Sequence, residues 1–79
     1  PTLTKEQAAE KLKLSDNRIN DSTILSNRLI IFKDLKTEPY LCYKIEISFS
    51  PIEHYYYYVS AINGDIIFSE ILSRSLQNN

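Results

Sequence analysis

Cys42 and His54 are the only cysteine and the only histidine of this 79-residue chain, and they are its candidates for a nucleophile and a base. A thiolate and an imidazole form a catalytic pair when the fold brings them together, whatever their separation in sequence. A base also needs a group that orients it, and none stands at a characteristic spacing from His54. Metal-ligand spacing is missing as well, and the single glycine, Gly64, leaves no phosphate-binding loop. We therefore predict no catalysis, no bound metal and no cofactor, with His54 in a turn or at the surface.

Four consecutive tyrosines, Tyr55 to Tyr58, are the most unusual feature of the sequence. Tyrosine has a high strand propensity, so the run predicts a β-strand with alternate side chains on two faces. Aromatic strands stack nucleic-acid bases, but Lys44 is the only nearby cation on the outward face, and the formal net charge is −1. Tyrosine is also enriched in protein interfaces. The pattern predicts protein recognition rather than nucleic-acid binding, through a candidate interface made of Tyr40, Lys44, Tyr56, Tyr58 and Ser60.

A helix must precede the strands that position these residues. Thr4 followed three residues later by Gln7 is a capping box, and an apolar face follows at helical spacing. That face consists of Ala8, Ala9 and Leu12. The helix is expected to end near Leu14, because the polar residues 15–17 are typical of a turn that follows a helix. Residues 15–28 are polar and read as an irregular segment.

Apolar patterning predicts about four strands after the helix, at residues 29–33, 40–49, 54–62 and 65–72. The clearest of these is 40–49, where apolar and polar residues alternate strictly, as in an antiparallel sheet with one buried face. The expected buried residues of that strand are Leu41, Tyr43, Ile45, Ile47 and Phe49. The fold class is therefore α+β, with an N-terminal helix packed on an antiparallel sheet.

Asn63-Gly64 between two β-rich segments predicts a tight hairpin with a type I′ turn. A two-residue loop sets the register, so that Ala61 would lie opposite Ile66 and Val59 opposite Phe68. The expected core face consists of Tyr55, Tyr57, Val59, Ala61, Ile66 and Phe68. The expected outward face consists of Tyr56, Tyr58, Ser60, Ile62, Ile67 and Ser69.

The length of the chain predicts one small domain over residues 1–79, with no room for a separate catalytic domain. No apolar run approaches the ~20 residues that cross a bilayer, so we expect no membrane insertion of this segment. The chain contains no methionine. We therefore expect it to be a segment of a longer precursor, with any secretion signal upstream.

Two of the predicted strands resemble the PepSY domain in the propeptides of secreted thermolysin-like zinc metallopeptidases. The family pattern L-x-Y-x-V-x-V is matched by Leu41, Tyr43, Ile45 and Ile47. The pattern Y-x-V-D-A followed by T/N-G-x-I/V is matched by Tyr57, Val59, Ala61, Asn63, Gly64, Ile66 and Ile67. Ser60 stands where the family usually has aspartate, which puts the role of that aspartate in doubt here. The resemblance covers most of the chain, and its specific part is residues 40–68.

This resemblance implies a cystatin-like fold and a function as an inhibitor and intramolecular chaperone. The partner would be the catalytic domain of a secreted metallopeptidase, encoded after Asn79 of the same precursor, and the chain itself would not be an enzyme. The expected location is secreted or extracytoplasmic. PepSY-like domains also resemble extracytoplasmic regulatory modules outside peptidase precursors, so a free-standing protein-binding module is the alternative.

Overall fold

The computed structural model describes residues 2–33, 35 and 38–72. One α-helix is followed by an antiparallel four-stranded sheet in the order β1-β2-β3-β4. The elements are α1 (Lys5–Ser15), β1 (Ile24–Phe32), β2 (Tyr40–Ser50), β3 (Glu53–Ser60) and β4 (Ile66–Ile71). Each strand therefore pairs with its neighbour in sequence, and the predicted α+β fold is confirmed.

The helix begins at the predicted capping box. The backbone N of Thr4 donates to Gln7 Oε1 at 2.8 Å, and the backbone N of Gln7 donates to Thr4 Oγ1 at 3.1 Å. These two bonds satisfy donors that the first helical turn leaves without partners. The helix ends at Ser15, whose Oγ donates to the carbonyl of Leu12 at 2.7 Å.

The first strand is longer than its sequence predicts, because it starts at Ile24 rather than at residue 29. Its polar first half pairs with β2, with Ser26 opposite Glu46 and Arg28 opposite Lys44. A bulge between Ile24 and Ser26 interrupts this ladder. The first half of β1 therefore forms a strand because it pairs with β2, although its own sequence predicts an irregular segment.

The core lies between α1 and one face of the sheet. The predicted alternation along β2 is confirmed, since Ile45 and Ile47 are completely buried there. Tyr43 is buried too, and its hydroxyl donates to the carbonyl of Leu3 at 2.7 Å. The core cluster is Ala8, Leu12, Ile19, Tyr43, Ile45, Ile47, Val59 and Ala61. Tyr57 lies at its border and is partly buried.

The hairpin between β3 and β4 differs from the prediction of a type I′ turn. Gly64, with φ of 83°, is the only described residue with positive φ, whereas a type I′ turn requires two. The loop instead closes with Gly64 N donating to the carbonyl of Ser60 at 3.0 Å. Asn63 stabilises it by accepting a hydrogen bond from the backbone N of Asp65 at 2.9 Å. Asn63 and Gly64 are turn residues as predicted, but the turn is longer.

The longer turn also changes the register of β4. Val59 lies opposite Ile66 and Tyr58 lies opposite Phe68, which leaves Ile67 as an extra, bulged residue. The predicted pairs Ala61–Ile66 and Val59–Phe68 are therefore wrong. Phe68 lies on the face away from α1 and is 48% exposed, and Ile66 is 41% exposed, so neither belongs to the core. A bulge moves every later side chain of a strand to the opposite face.

Candidate protein-binding face

The sheet face opposite α1, called the open face below, is formed by alternate residues of all four strands. The register places Lys44 opposite Tyr58 and Glu46 opposite Tyr56, which puts the predicted interface residues of β2 and β3 on one surface. The open face consists of Ser26, Arg28, Ile30, Phe32, Tyr40, Cys42, Lys44, Glu46, Ser48, His54, Tyr56, Tyr58, Ser60, Phe68 and Glu70. The core and α1 lie on the other side of the sheet.

An aromatic cluster of Phe32, Tyr58 and Phe68 lies on the open face. Ring centroids are 5.0 Å apart for Phe32 and Tyr58, 5.7 Å for Phe32 and Phe68, and 5.6 Å for Tyr58 and Phe68. These separations are those of favourable aromatic pairs. Tyr58 is only 6% exposed, so the prediction that it is an exposed residue is wrong. Rings from β1 and β4 cover it, and Phe68 is the exposed member of the cluster.

Tyr58 also forms a hydrogen bond at this surface. Its hydroxyl donates to Glu70 Oε1 at 3.1 Å. Burial, together with this hydrogen bond and the negative charge of Glu70, raises the pKa of Tyr58 to about 12. The phenol is therefore neutral near pH 7, and it acts as a structural donor within the face.

Lys44 is held against the tyrosine run. Its Nζ lies 4.1 Å from the ring centroid of Tyr56 and 5.7 Å from that of Tyr58, within the range of cation–π interaction. Arg28 lies directly opposite Lys44 on β1. Among the described residues, no carboxylate lies within 4.0 Å of either cation. Tyr56 and Lys44 are each only partly buried. The exposed part of each side chain is therefore available for contact with a partner.

The remaining predicted interface residues differ in exposure. Tyr40 is 41% exposed and lies opposite Phe32 at the end of the face. Ser60 is 9% exposed, and its Oγ accepts hydrogen bonds from the backbone N atoms of Ile62 and Asn63 at 3.1 and 3.3 Å. Ser60 therefore shapes the β3–β4 turn.

Cys42 and His54 share the open face without meeting. Cys42 lies opposite Ser60, whereas His54 lies opposite Ser48, six residues further along β2, which corresponds to about 20 Å. Cys42 is completely buried, and burial raises the pKa of its thiol. The structure thus excludes the direct Cys–His pair that the sequence left open, and the thiol stays protonated near pH 7.

His54 has a different neighbour, which sequence analysis did not identify. Its Nε2 lies 3.4 Å from Ser48 Oγ. Ser48 Oγ also lies 3.0 Å from the carbonyl of Ser50, to which it donates. Both contacts of Ser48 lie beside the β2–β3 turn.

The residues of the face that sequence analysis left out of the candidate interface include Phe32, Phe68 and Arg28. Arg28 fell outside the predicted first strand, and Phe68 was assigned to the core because the bulge at Ile67 was not anticipated. No local signal marks that bulge, since Ile66 and Ile67 are equally apolar. Alternation alone therefore finds the central strands of the face and misses its edges.

No cluster of three or more histidine, cysteine, aspartate or glutamate side chains that could hold a metal ion occurs in the described part of the chain. Nor does any helix found there have the length and hydropathy needed to cross a bilayer. Compared with known proteins, the sequence matches no family model, and no curated protein or solved structure is significantly similar to it.

Proposed function

We propose that this chain is a non-catalytic protein-binding domain that binds its partner through the open face. The observation that carries the proposal is the half-exposed ring of Phe68, set in an aromatic cluster beside Lys44 and Tyr56. Polar side chains ordinarily cover the solvent-facing side of an antiparallel sheet. Exposed aromatic rings with a neighbouring cation are instead the composition of interface centres.

The resemblance to PepSY propeptides supplies the class of partner. We propose that the open face binds the catalytic domain of a secreted thermolysin-like zinc metallopeptidase, inhibits it and assists its folding. A domain that binds the folded enzyme in preference to its unfolded chain stabilises the folded enzyme. Tethering in one precursor would give a high effective concentration, which cleavage of the link would remove.

The proposal is tested by mixing the 79-residue chain with thermolysin-like metallopeptidases and measuring residual peptidase activity against chain concentration. The informative variant is Phe68→Ser, which removes the exposed ring of the open face. Its matched control is Ile31→Ser, because Ile31 is 70% exposed and its register places it on the helix side of the sheet. Thermal melting of each variant establishes that it is folded.

We expect the wild-type chain to inhibit and Phe68→Ser to weaken inhibition about tenfold or more, as for a central interface residue. Ile31→Ser should inhibit like the wild-type chain. A wild-type chain that leaves activity unchanged at saturating concentration contradicts the metallopeptidase partner and favours the free-standing module. Inhibition that survives Phe68→Ser but not Ile31→Ser would place the interface on the other side of the sheet.

A further inference from the structure

Arg28 and Lys44 are cross-strand partners on the open face, so two basic residues occupy directly opposite positions of the β1–β2 ladder. We infer that this pair binds a carboxylate side chain of the partner protein, an aspartate or glutamate next to an apolar residue. The inference rests on the proposed function in one respect: it takes the open face to be the surface that meets the partner.

The register favours repulsion between the two side chains in the isolated chain. Side chains directly opposite in an antiparallel ladder lie about 4.5–5.5 Å apart at Cβ, and like charges in this position are destabilising. No described carboxylate lies within 4.0 Å of Arg28 or Lys44 to offset the repulsion. An anion placed between the two cations would convert the repulsion into two attractive interactions.

The acidic residues of the same face are engaged elsewhere. Glu70 accepts the hydroxyl of Tyr58, and Glu46 lies 3.4 Å from the hydroxyl of Ser26, its partner on β1. Neither forms an ion pair with a cation of this face. The negative charges of Glu46 and Glu70 repel a polyanionic ligand more strongly than they repel a ligand with one carboxylate. The site therefore favours a ligand with a single negative charge.

The surroundings of Lys44 favour a peptide group over a free ion. Its ammonium group stands over the ring of Tyr56, which shields one side of it from water, and the exposed ring of Phe68 belongs to the same face. Arg28 contributes a planar guanidinium, which binds a carboxylate with two parallel hydrogen bonds. An acidic side chain whose neighbour is apolar can therefore contact the cations and the rings together.

The test uses the isotope-labelled chain and two short blocked peptides, titrated by nuclear magnetic resonance. One peptide has a single glutamate flanked by phenylalanines, and the other has glutamine in its place. The variants are Arg28→Gln and Lys44→Gln. Lys33→Gln is the matched control, because Lys33 is an exposed cation directly after β1. Inorganic phosphate is added as a competitor.

We expect the glutamate peptide to shift the amide signals of Arg28, Lys44 and Tyr56. Arg28→Gln and Lys44→Gln should each weaken its binding about two- to fivefold, as for an exposed ion pair, and Lys33→Gln should not. Added salt should weaken binding as well. Equal binding of the glutamine peptide, or shifts confined to other parts of the chain, would overturn the inference. If inorganic phosphate at the same concentration displaces the glutamate peptide, the two cations bind a free anion, and the inference of a peptide carboxylate is wrong.

The same variants separate this inference from the proposed function. If Arg28→Gln and Lys44→Gln inhibit the metallopeptidase as the wild-type chain does while Phe68→Ser does not, the carboxylate contact is wrong and the protein-binding face stands. If the glutamate peptide binds at Arg28 and Lys44 but the wild-type chain inhibits no peptidase, the carboxylate site stands and the metallopeptidase is the wrong partner.

Discussion

Tyr58 donates its phenolic hydroxyl to Glu70 Oε1 at 3.1 Å, on the side of the sheet that α1 does not cover. This bond connects β3 to β4 at Glu70, three residues beyond the bulge at Ile67. Tyr58 is 6% exposed, whereas its neighbour Tyr57, which faces α1, is only partly buried. The sheet therefore has a second, smaller cluster of buried aromatic surface on its open face.

The burial of Tyr58 predicts a large stability loss on its truncation. Tyr58→Ala should lower the free energy of unfolding by about 3 kcal/mol or more, because it removes the most buried ring of the three. Tyr58→Phe should cost about 1 kcal/mol, because only the hydrogen bond to Glu70 is lost. Urea unfolding measures both. A smaller loss for Tyr58→Ala than for Tyr57→Ala would contradict the burial described above.

Alkaline pH should destabilise the chain through Tyr58. Its pKa is raised from 10.0 in the unfolded chain to about 12 in the folded chain. Between about pH 10 and about pH 12, the folded chain keeps the phenolic proton that the unfolded chain releases. The stability that Tyr58 contributes is therefore complete below about pH 10 and is lost as the pH rises towards about 12. Burial also raises the pKa of Cys42 and Tyr57, which adds to the effect.

Ultraviolet titration of tyrosinate isolates the contribution of Tyr58. The wild-type chain should show an ionisation step near pH 12 that Tyr58→Phe lacks, and thermal melting of Tyr58→Phe should depend less on pH over the same range. A step near pH 12 that persists in Tyr58→Phe would assign it to another tyrosine.

Gly64 should tolerate no side chain. Its φ of 83° is costly for other residues, and a Cβ there would lie 2.8 Å from Cγ of Lys11. Gly64→Val should lower the free energy of unfolding by about 1–3 kcal/mol. Lys11→Ala removes the close contact but leaves the backbone strain. We therefore expect Gly64→Val to remain destabilising in the Lys11→Ala background, and full recovery there would mean that the contact alone causes the loss.

The hydroxyl of Ser60 should stabilise the β3–β4 turn. Ser60→Ala leaves the backbone N atoms of Ile62 and Asn63 without their acceptor and should cost about 1 kcal/mol in urea unfolding. Ser69→Ala is the control, because Ser69 is an exposed serine in the paired strand β4. Equal stability of the Ser60→Ala and Ser69→Ala variants would show that the turn does not depend on this side chain.

The sequence by itself determined the features that depend on near neighbours. The capping box from Thr4 to Gln7 needs only residues three apart, and it starts α1 as predicted. The alternation along β2 needs only the two-residue period of a strand, and it identified Ile45 and Ile47 as core residues. These signals are local, because the backbone geometry of one helix or strand decides which side chains share a face.

Only the tertiary structure decided the composition of the open face. The polar first half of β1 becomes a strand through pairing with β2, which places Arg28 opposite Lys44. The bulge at Ile67 moves Phe68 onto Tyr58, and the rings of Phe32 and Phe68 then bury a tyrosine that alternation alone leaves exposed. Register and burial depend on which strands pair and where a turn closes, and these are set by contacts between residues far apart in sequence.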